Sequence, residues 1–279
     1  MSETTLRRIF IVADDYGMTG GVSAAIRDLI ARRRINATSV MVGAPGFSPG
    51  EARALREAAE GHAAIGLHLT LTAPFAPLSK NFAPARGGAF LPLAAMAGRA
   101  LIRTLSPAML EAEIAAQFAA FQTAFGRPPD YVDGHQHIHV FPQVSEALIR
   151  VANAAAPQAW IRQCARADAA PKSLADPKGL ILDALSRRLR RLAAKAGAIT
   201  NPAFAGTYSF SPHADFTKLF PQFLDGLPDG GVVMCHPGKV DAQLRALDPL
   251  TDLREREYAY FLGDDFPPML AAHGVVLTP

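Results

Sequence analysis

Four places in this 279-residue chain carry side chains able to do acid–base or metal chemistry: Asp14-Asp15, His68, the run from Asp133 to His139, and His236. Three of the eight histidines, His135, His137 and His139, fall within five residues. Neutral imidazole is a common ligand for zinc, nickel, cobalt and iron, so such a run is a natural metal edge. If the backbone stays extended, alternation puts the three rings on one side. Each place also has a plainer reading. The histidine run suits a polar loop bonded only to itself. The aspartate pair suits a helix N-terminus. His68 suits a buried strand, and His236, before Pro237-Gly238, suits a turn.

The elements that must position these groups decide between the readings. Arg7 to Ala13 is an apolar run that reads as a buried parallel strand, and it ends at Asp14-Asp15-Tyr16-Gly17. A helix follows over roughly 20–34, with Val22, Ile26, Leu29 and Ile30 on one stripe. A second strand, Thr38 to Val42, a helix over 49–60 and a third strand, Ala64 to Thr70, predict parallel strands with right-handed crossovers. Regularity fails over 73–105, which reads as a substrate wall or lid. A helix from Ser106-Pro107 to Phe125 leads into the histidine strand. Further elements are expected as a helix over 142–155, a strand over 159–162, a strand over 207–210 and a helix over 216–224. A buried strand over 231–238, a helix over 250–262 and a last strand over 274–277 complete the series. The segment 172–197 stands apart as a basic helical insert. Its Arg187, Arg188, Arg190, Arg191 and Lys195 form a charged face, with Leu185, Leu189 and Leu192 opposite. A solvated face is the favoured reading, and contact with a membrane surface the alternative.

Asp14-Asp15, His68, His135 and His236 thus all fall at the C-terminal ends of predicted parallel strands. That edge is where parallel α/β folds gather catalytic residues. Four independent accidents are a poor explanation.

Composition sets the bounds. Apolar residues make up 49% and charged residues 19%, which fits one soluble α/β domain of barrel size spanning 1–279. A net charge of +3 without a nucleic-acid motif argues against nucleic acid as a partner. Two isolated cysteines, Cys164 and Cys235, and no signal-like or membrane-spanning segment point to the cytoplasm. Glycine-rich phosphate loops and a G-x-S-x-G elbow are absent, which excludes the common nucleotide folds and the α/β-hydrolase serine site.

The chemistry that uses the remaining parts is metal-assisted hydrolysis. A mononuclear site needs about three protein ligands and open positions. Asp15, His68 and His135 supply one carboxylate and two imidazoles. Asp14 is then the base for the attacking water, and His236 the acid for the leaving group, with His137 the second choice.

The blocks Val12-Ala13-Asp14-Asp15-Tyr16-Gly17, Gly66-Leu67-His68-Leu69-Thr70, Asp133 to His139 and Met234-Cys235-His236-Pro237-Gly238 resemble the YdjC-like carbohydrate deacetylases, as does the Arg254-Glu255 and Glu257 pattern. The resemblance implies a mostly parallel (β/α) barrel, distorted or incomplete. It also implies removal of acetyl from an N-acetylated amino sugar or oligosaccharide, free or lipid-linked. One divalent ion, Mg2+ or Zn2+, would be held by Asp15, His68 and His135. His137, Arg162, Tyr16 and the 73–105 loop are expected to contact substrate, and Asp133 to orient a histidine. A homodimer is expected by analogy with such barrels. Tyr16 stands where the family usually has Phe, and the basic insert is outside the pattern. The rival readings are another mononuclear metallohydrolase, a phosphoesterase or amidohydrolase, and a non-catalytic protein that binds sugar and metal.

Overall fold

A computed structural model describes residues 6–167 and 176–278. The strands are β1 (Arg7–Tyr16), β2 (Ala37–Val40), β3 (Ala64–Leu69), β4 (Ala85–Arg86), β5 (Ala89–Phe90), β6 (Tyr131–Gly134), β7 (Trp160–Ile161), β8 (Phe204–Ala205), β9 (Gly231–Cys235) and β10 (Val275–Val276). The helices are α1 (Gly20–Ala31), α2 (Pro49–Ala59), α3 (Leu93–Leu101), α4 (Pro107–Phe125), α5 (Val144–Ala155), α6 (Pro177–Lys195), α7 (Phe216–Leu224), α8 (Ala242–Leu247), α9 (Asp252–Leu262) and α10 (Phe266–Ala272).

The main sheet runs β7-β6-β3-β2-β1-β9-β8, with β10 added to the start of β1, and every pairing in it is parallel. Helices cover it, as the alternating order requires. β1 pairs with three strands, β2, β9 and β10, and its Ile9, Ile11 and Val12 are fully buried. Each such side chain stabilises the fold by about 1.5–3 kcal/mol. Among the described residues β7 and β8 do not pair directly, and a single parallel bridge, Ile161 with Thr200, links the two edges. Each edge strand bonds the segment flanking the other: Ile161 N donates to Ile199 O at 2.8 Å, and Phe204 N to Ala165 O at 3.0 Å. The result is a curled, distorted half-barrel, the α/β architecture the sequence predicts.

Local differences have local causes. The strand expected over 207–210 lies instead at β8, because Gly206, at φ 102, packs against the backbone of β9. A Cβ there would sit 2.2 Å from Met234 O. The 73–105 segment carries α3 and the β4–β5 hairpin, and α8 and α10 are further short helices that the sequence pattern does not announce. The basic insert is the helix α6, capped by Asp176, whose carboxylate accepts from Gly179 N at 2.9 Å. Leu189 and Ala193 face inward, while Arg187, Arg190 and Arg191 are exposed. Arg188 reaches Ser145 Oγ at 2.9 Å and pairs with Glu146. Positions 172–175 of the expected insert lie outside the described residues. Among the described residues no helix is long and apolar enough to cross a membrane.

Candidate metal centre and active site

Adjacent strand residues normally face opposite sides of a sheet. The pairing of β1 with β2 breaks register between Ala13 and Tyr16, and Asp15 sits in the left-handed region at φ 71. This irregularity turns both Asp14 and Asp15 toward the same crevice. Asp15 Oδ1 lies 3.2 Å from His68 Nε2 and 3.0 Å from His135 Nδ1. Its Oδ2 accepts from Arg254 Nη2 at 2.6 Å. Asp14 receives both guanidinium nitrogens of Arg162 at 2.7 Å, a paired contact on a wholly buried arginine.

β3 and β6 supply the next layer. His68 pairs across them with Asp133, whose Oδ1 is 2.7 Å from His68 Nδ1. Ser39, on β2, places its hydroxyl 3.0 Å from the same nitrogen. When Nδ1–H donates to Asp133, Nε2 presents its lone pair toward Asp15, the arrangement that carboxylate-oriented histidine ligands adopt. The donor atoms of Asp15, His68 and His135 lie within 4.8 Å of one another, and all three residues are buried. One carboxylate oxygen and two imidazole nitrogens suit a divalent ion. A second group, Asp14, His68 and Asp133, meets the same spacing. Arg162 Nη1 contacts both of its carboxylates, at 2.7 and 3.0 Å, so a cation already serves that side.

The histidine run does not stay extended. β6 ends at Gly134, and His135–Val140 forms a 3-10 turn in which Gln136 and His137 take φ 53 and 56. His139 folds back against Gly134, where a Cβ would lie 2.8 Å from its Nδ1, and its Nε2 donates to Arg162 O at 2.8 Å. The three rings therefore separate. His135 meets Asp15, with Phe75 edge-on to it at 5.5 Å. His137 lies 3.5 Å from Cys164 Sγ and edge-on to Phe204, and His139 is buried.

Electrostatics follows from this burial. Burial works against the Asp15 anion, but Arg254 and His135 outweigh it and hold its pKa well below the carboxylate range. Burial likewise opposes a charged His68, yet Asp133 and Asp14 raise its pKa to about 10, so a cation binding at Nε2 displaces a proton. His137 and His139 go the other way. Burial and the Arg162 charge keep both rings neutral, the second with a pKa of about 3. Burial pushes the Cys164 thiol up to about 12, which removes it as a nucleophile.

His236 follows β9 directly, one residue past the Ala13–Cys235 pair, which sets it beside Asp14 across the strands. Its backbone N donates to Glu257 Oε2 at 2.5 Å, and Phe210 stands edge-on to the ring at 5.5 Å. Its buried Nδ1 has no protein partner among the described residues. Tyr208 OH donates to the other Glu257 oxygen at 2.6 Å.

The structure thus gathers Asp14, Asp15, His68, His135, Arg162 and Asp133 through direct contacts, with His137 and His236 at the margin. Tyr16 is not among them. Its ring is fully buried, and its hydroxyl bonds Glu51 and Arg27 between α1 and α2. Arg162 is also fully buried, and it faces the carboxylates. Ser39, Phe75, Tyr208 and the roles of Arg254 and Glu257 escape sequence reasoning. Ser39 sits at the same strand edge as His68, which is the one signal that would have found it.

The sequence model of the YdjC-like protein family matches residues 8–272. The chitooligosaccharide deacetylase of Serratia marcescens is 29% identical over 248 residues, covering 86% of this chain and 85% of that protein. The carbohydrate deacetylase of Vibrio vulnificus is 25% identical over 279 residues, covering 97% and 94%. Among solved structures, a putative cellobiose-phosphate cleavage protein of Enterococcus faecalis superposes with a TM-score of 0.74 at 21% identity, covering 98% of this chain and 97% of that one. The family blocks are the same residues that meet in the crevice, and the match runs almost from end to end: the chain belongs to the YdjC-like family.

Proposed function

We propose that this protein is a metal-dependent carbohydrate N-deacetylase, hydrolysing the acetyl amide of an amino sugar or its oligosaccharide. The observation that carries the reading is the convergence of Asp15 Oδ1 with His68 Nε2 and His135 Nδ1, beside a second carboxylate, Asp14, held separately. Similarity to relatives named as chitooligosaccharide and carbohydrate deacetylases supports the substrate class.

Asp15, His68 and His135 would hold the ion, Mg2+ or Zn2+. When bound, a divalent cation supplies polarisation of the acyl carbonyl and lowers the pKa of water. Asp14 takes the proton of the attacking water. Arg162 uses one lone pair on each Asp14 oxygen, and a carboxylate has about four such sites, so acceptor capacity remains. Arg162 thereby acts on Asp14 as a positioning residue. Asp133 fixes the His68 ring from behind. His236, set beside Asp14 at the strand end with its backbone anchored by Glu257 and its Nδ1 without a protein partner among the described residues, protonates the departing amine. His137, kept neutral, is left as a sugar contact together with the 73–105 loop. Proton transfer by such groups accelerates reaction by about 10²–10⁴-fold.

Asp14→Asn tests the assignment. Acetate release should fall by about 10²–10⁴-fold while cobalt binding is retained. A variant that keeps full turnover, or that loses the metal, contradicts the role of Asp14.

A further inference from the structure

We infer that Arg254 is the positioning residue that makes Asp15 a one-oxygen donor, holding Oδ2 so that only Oδ1 faces His68 and His135. This rests on the metal reading above. A carboxylate offers two equivalent oxygens, and both often bind one cation. In this protein the two are used differently. Arg254 Nη2 donates to Oδ2 at 2.6 Å, while Oδ1 alone is directed at the two imidazoles.

The arginine is built to stay there. It comes from α9, 239 residues along the chain, and is only 1% exposed. Nη2 also donates to Asp248 Oδ2 at 2.7 Å, and Nε to Leu250 O at 3.0 Å. A Cβ at Gly238 would lie 3.4 Å from the arginine's Cβ and Cδ, so only the bare glycine backbone runs past it, and Gly238 donates its N–H to Arg254 O at 3.1 Å. A buried guanidinium held at these points cannot swing away without leaving charges unpaired. Charge-assisted hydrogen bonds of this length are strong enough to keep Oδ2 engaged.

The consequence lies in the donor set. One oxygen and two nitrogens leave more of an ion's coordination sphere open for water and substrate than a chelating carboxylate would. That is what a hydrolytic centre requires of its ligands. The set is also weighted toward imidazole, which suits zinc-like ions over the oxygen-seeking magnesium. A purely structural Arg254 would affect stability but not the ion's surroundings.

Co2+ reads those surroundings directly, because its visible absorption weakens as coordination number rises. The wild type, Arg254→Lys, Asp248→Asn and Arg254→Met are titrated with Co2+, with circular dichroism as the check on folding. Arg254→Lys retains a donor for Oδ2 and should keep the wild-type spectrum. Asp248→Asn disturbs the same network from outside and should also keep it. Arg254→Met frees Oδ2, and its absorbance should drop several-fold. Should Arg254→Met fail to fold, the wild type still decides. Its metal-minus-apo infrared difference spectrum should show the wide carboxylate splitting of one-oxygen binding, not the narrow splitting of a chelate. A folded Arg254→Met with the wild-type spectrum, or a chelate splitting in the wild type, overturns the role of Arg254 and leaves the metal reading standing. Failure of the wild type to bind Co2+ at all overturns both.

Discussion

Asp14 and Asp15 are neighbours in sequence with different partners in space, and that division is the basis of the site. Asp14 belongs to Arg162, and Asp15 to two histidines and Arg254. Arg162 also balances Asp133, so removing it takes the guanidinium from two buried carboxylates and leaves Asp133 only its contact with His68. Arg162→Met should lower unfolding free energy by about 3–5 kcal/mol, measured by urea denaturation. Unchanged stability would mean that the guanidinium is not the counter-charge it is described to be. Burial makes a second prediction: Cys164 and Cys235, each 1% exposed and with thiol pKa values raised by desolvation, should not react with Ellman's reagent until the protein is denatured. Rapid labelling of the native protein would contradict that packing. At this scale the cluster was legible from residue type and strand-end position. What sequence could not show was direction. Tyr16 follows the aspartates yet turns into the core, and Arg162 is spent on carboxylates, because neither the β1 irregularity nor a buried ion pair leaves a local signature.

Elements decide which of the available histidines matter. The buried strands were legible as apolar runs with helices between them, and that periodicity places His68 and His236 correctly at the sheet edge. The turn after β6 was not legible. Non-glycine residues at positive φ, such as Gln136 and His137, are set by tertiary contacts, here the return of His139 onto Gly134. Gly134→Ala tests this. Its methyl group would meet His139 at 2.8 to 3.0 Å, an overpacking worth about 1–3 kcal/mol. Thermal unfolding should shift down, and cobalt binding should weaken as His135 moves with the turn. A variant with wild-type stability and metal affinity would show that the turn does not depend on that close approach. Short helices such as α8 and α10 were invisible for a simpler reason: six or seven residues are too few for a periodic stripe to stand out.

The whole molecule is a curled parallel sheet that collects residues from positions as far apart as Asp14 and Arg254 at one edge. Its outline was readable because alternating strands and helices leave few topologies. Its incompleteness was implied only by family resemblance, since the loop contacts that bring β7 and β8 together carry no pattern. Membership in the YdjC-like family and the buried donor set both support the metal-dependent deacetylation proposed above. The measurement that tests this most directly is acetate release from a panel of N-acetylated amino sugars and their oligosaccharides, with the protein as purified, after chelation and after a divalent ion is restored. The account predicts release from at least one member, abolished by chelator and recovered with zinc or magnesium. No release from any member, or release that chelation leaves untouched in a protein shown to be metal-free, would contradict it.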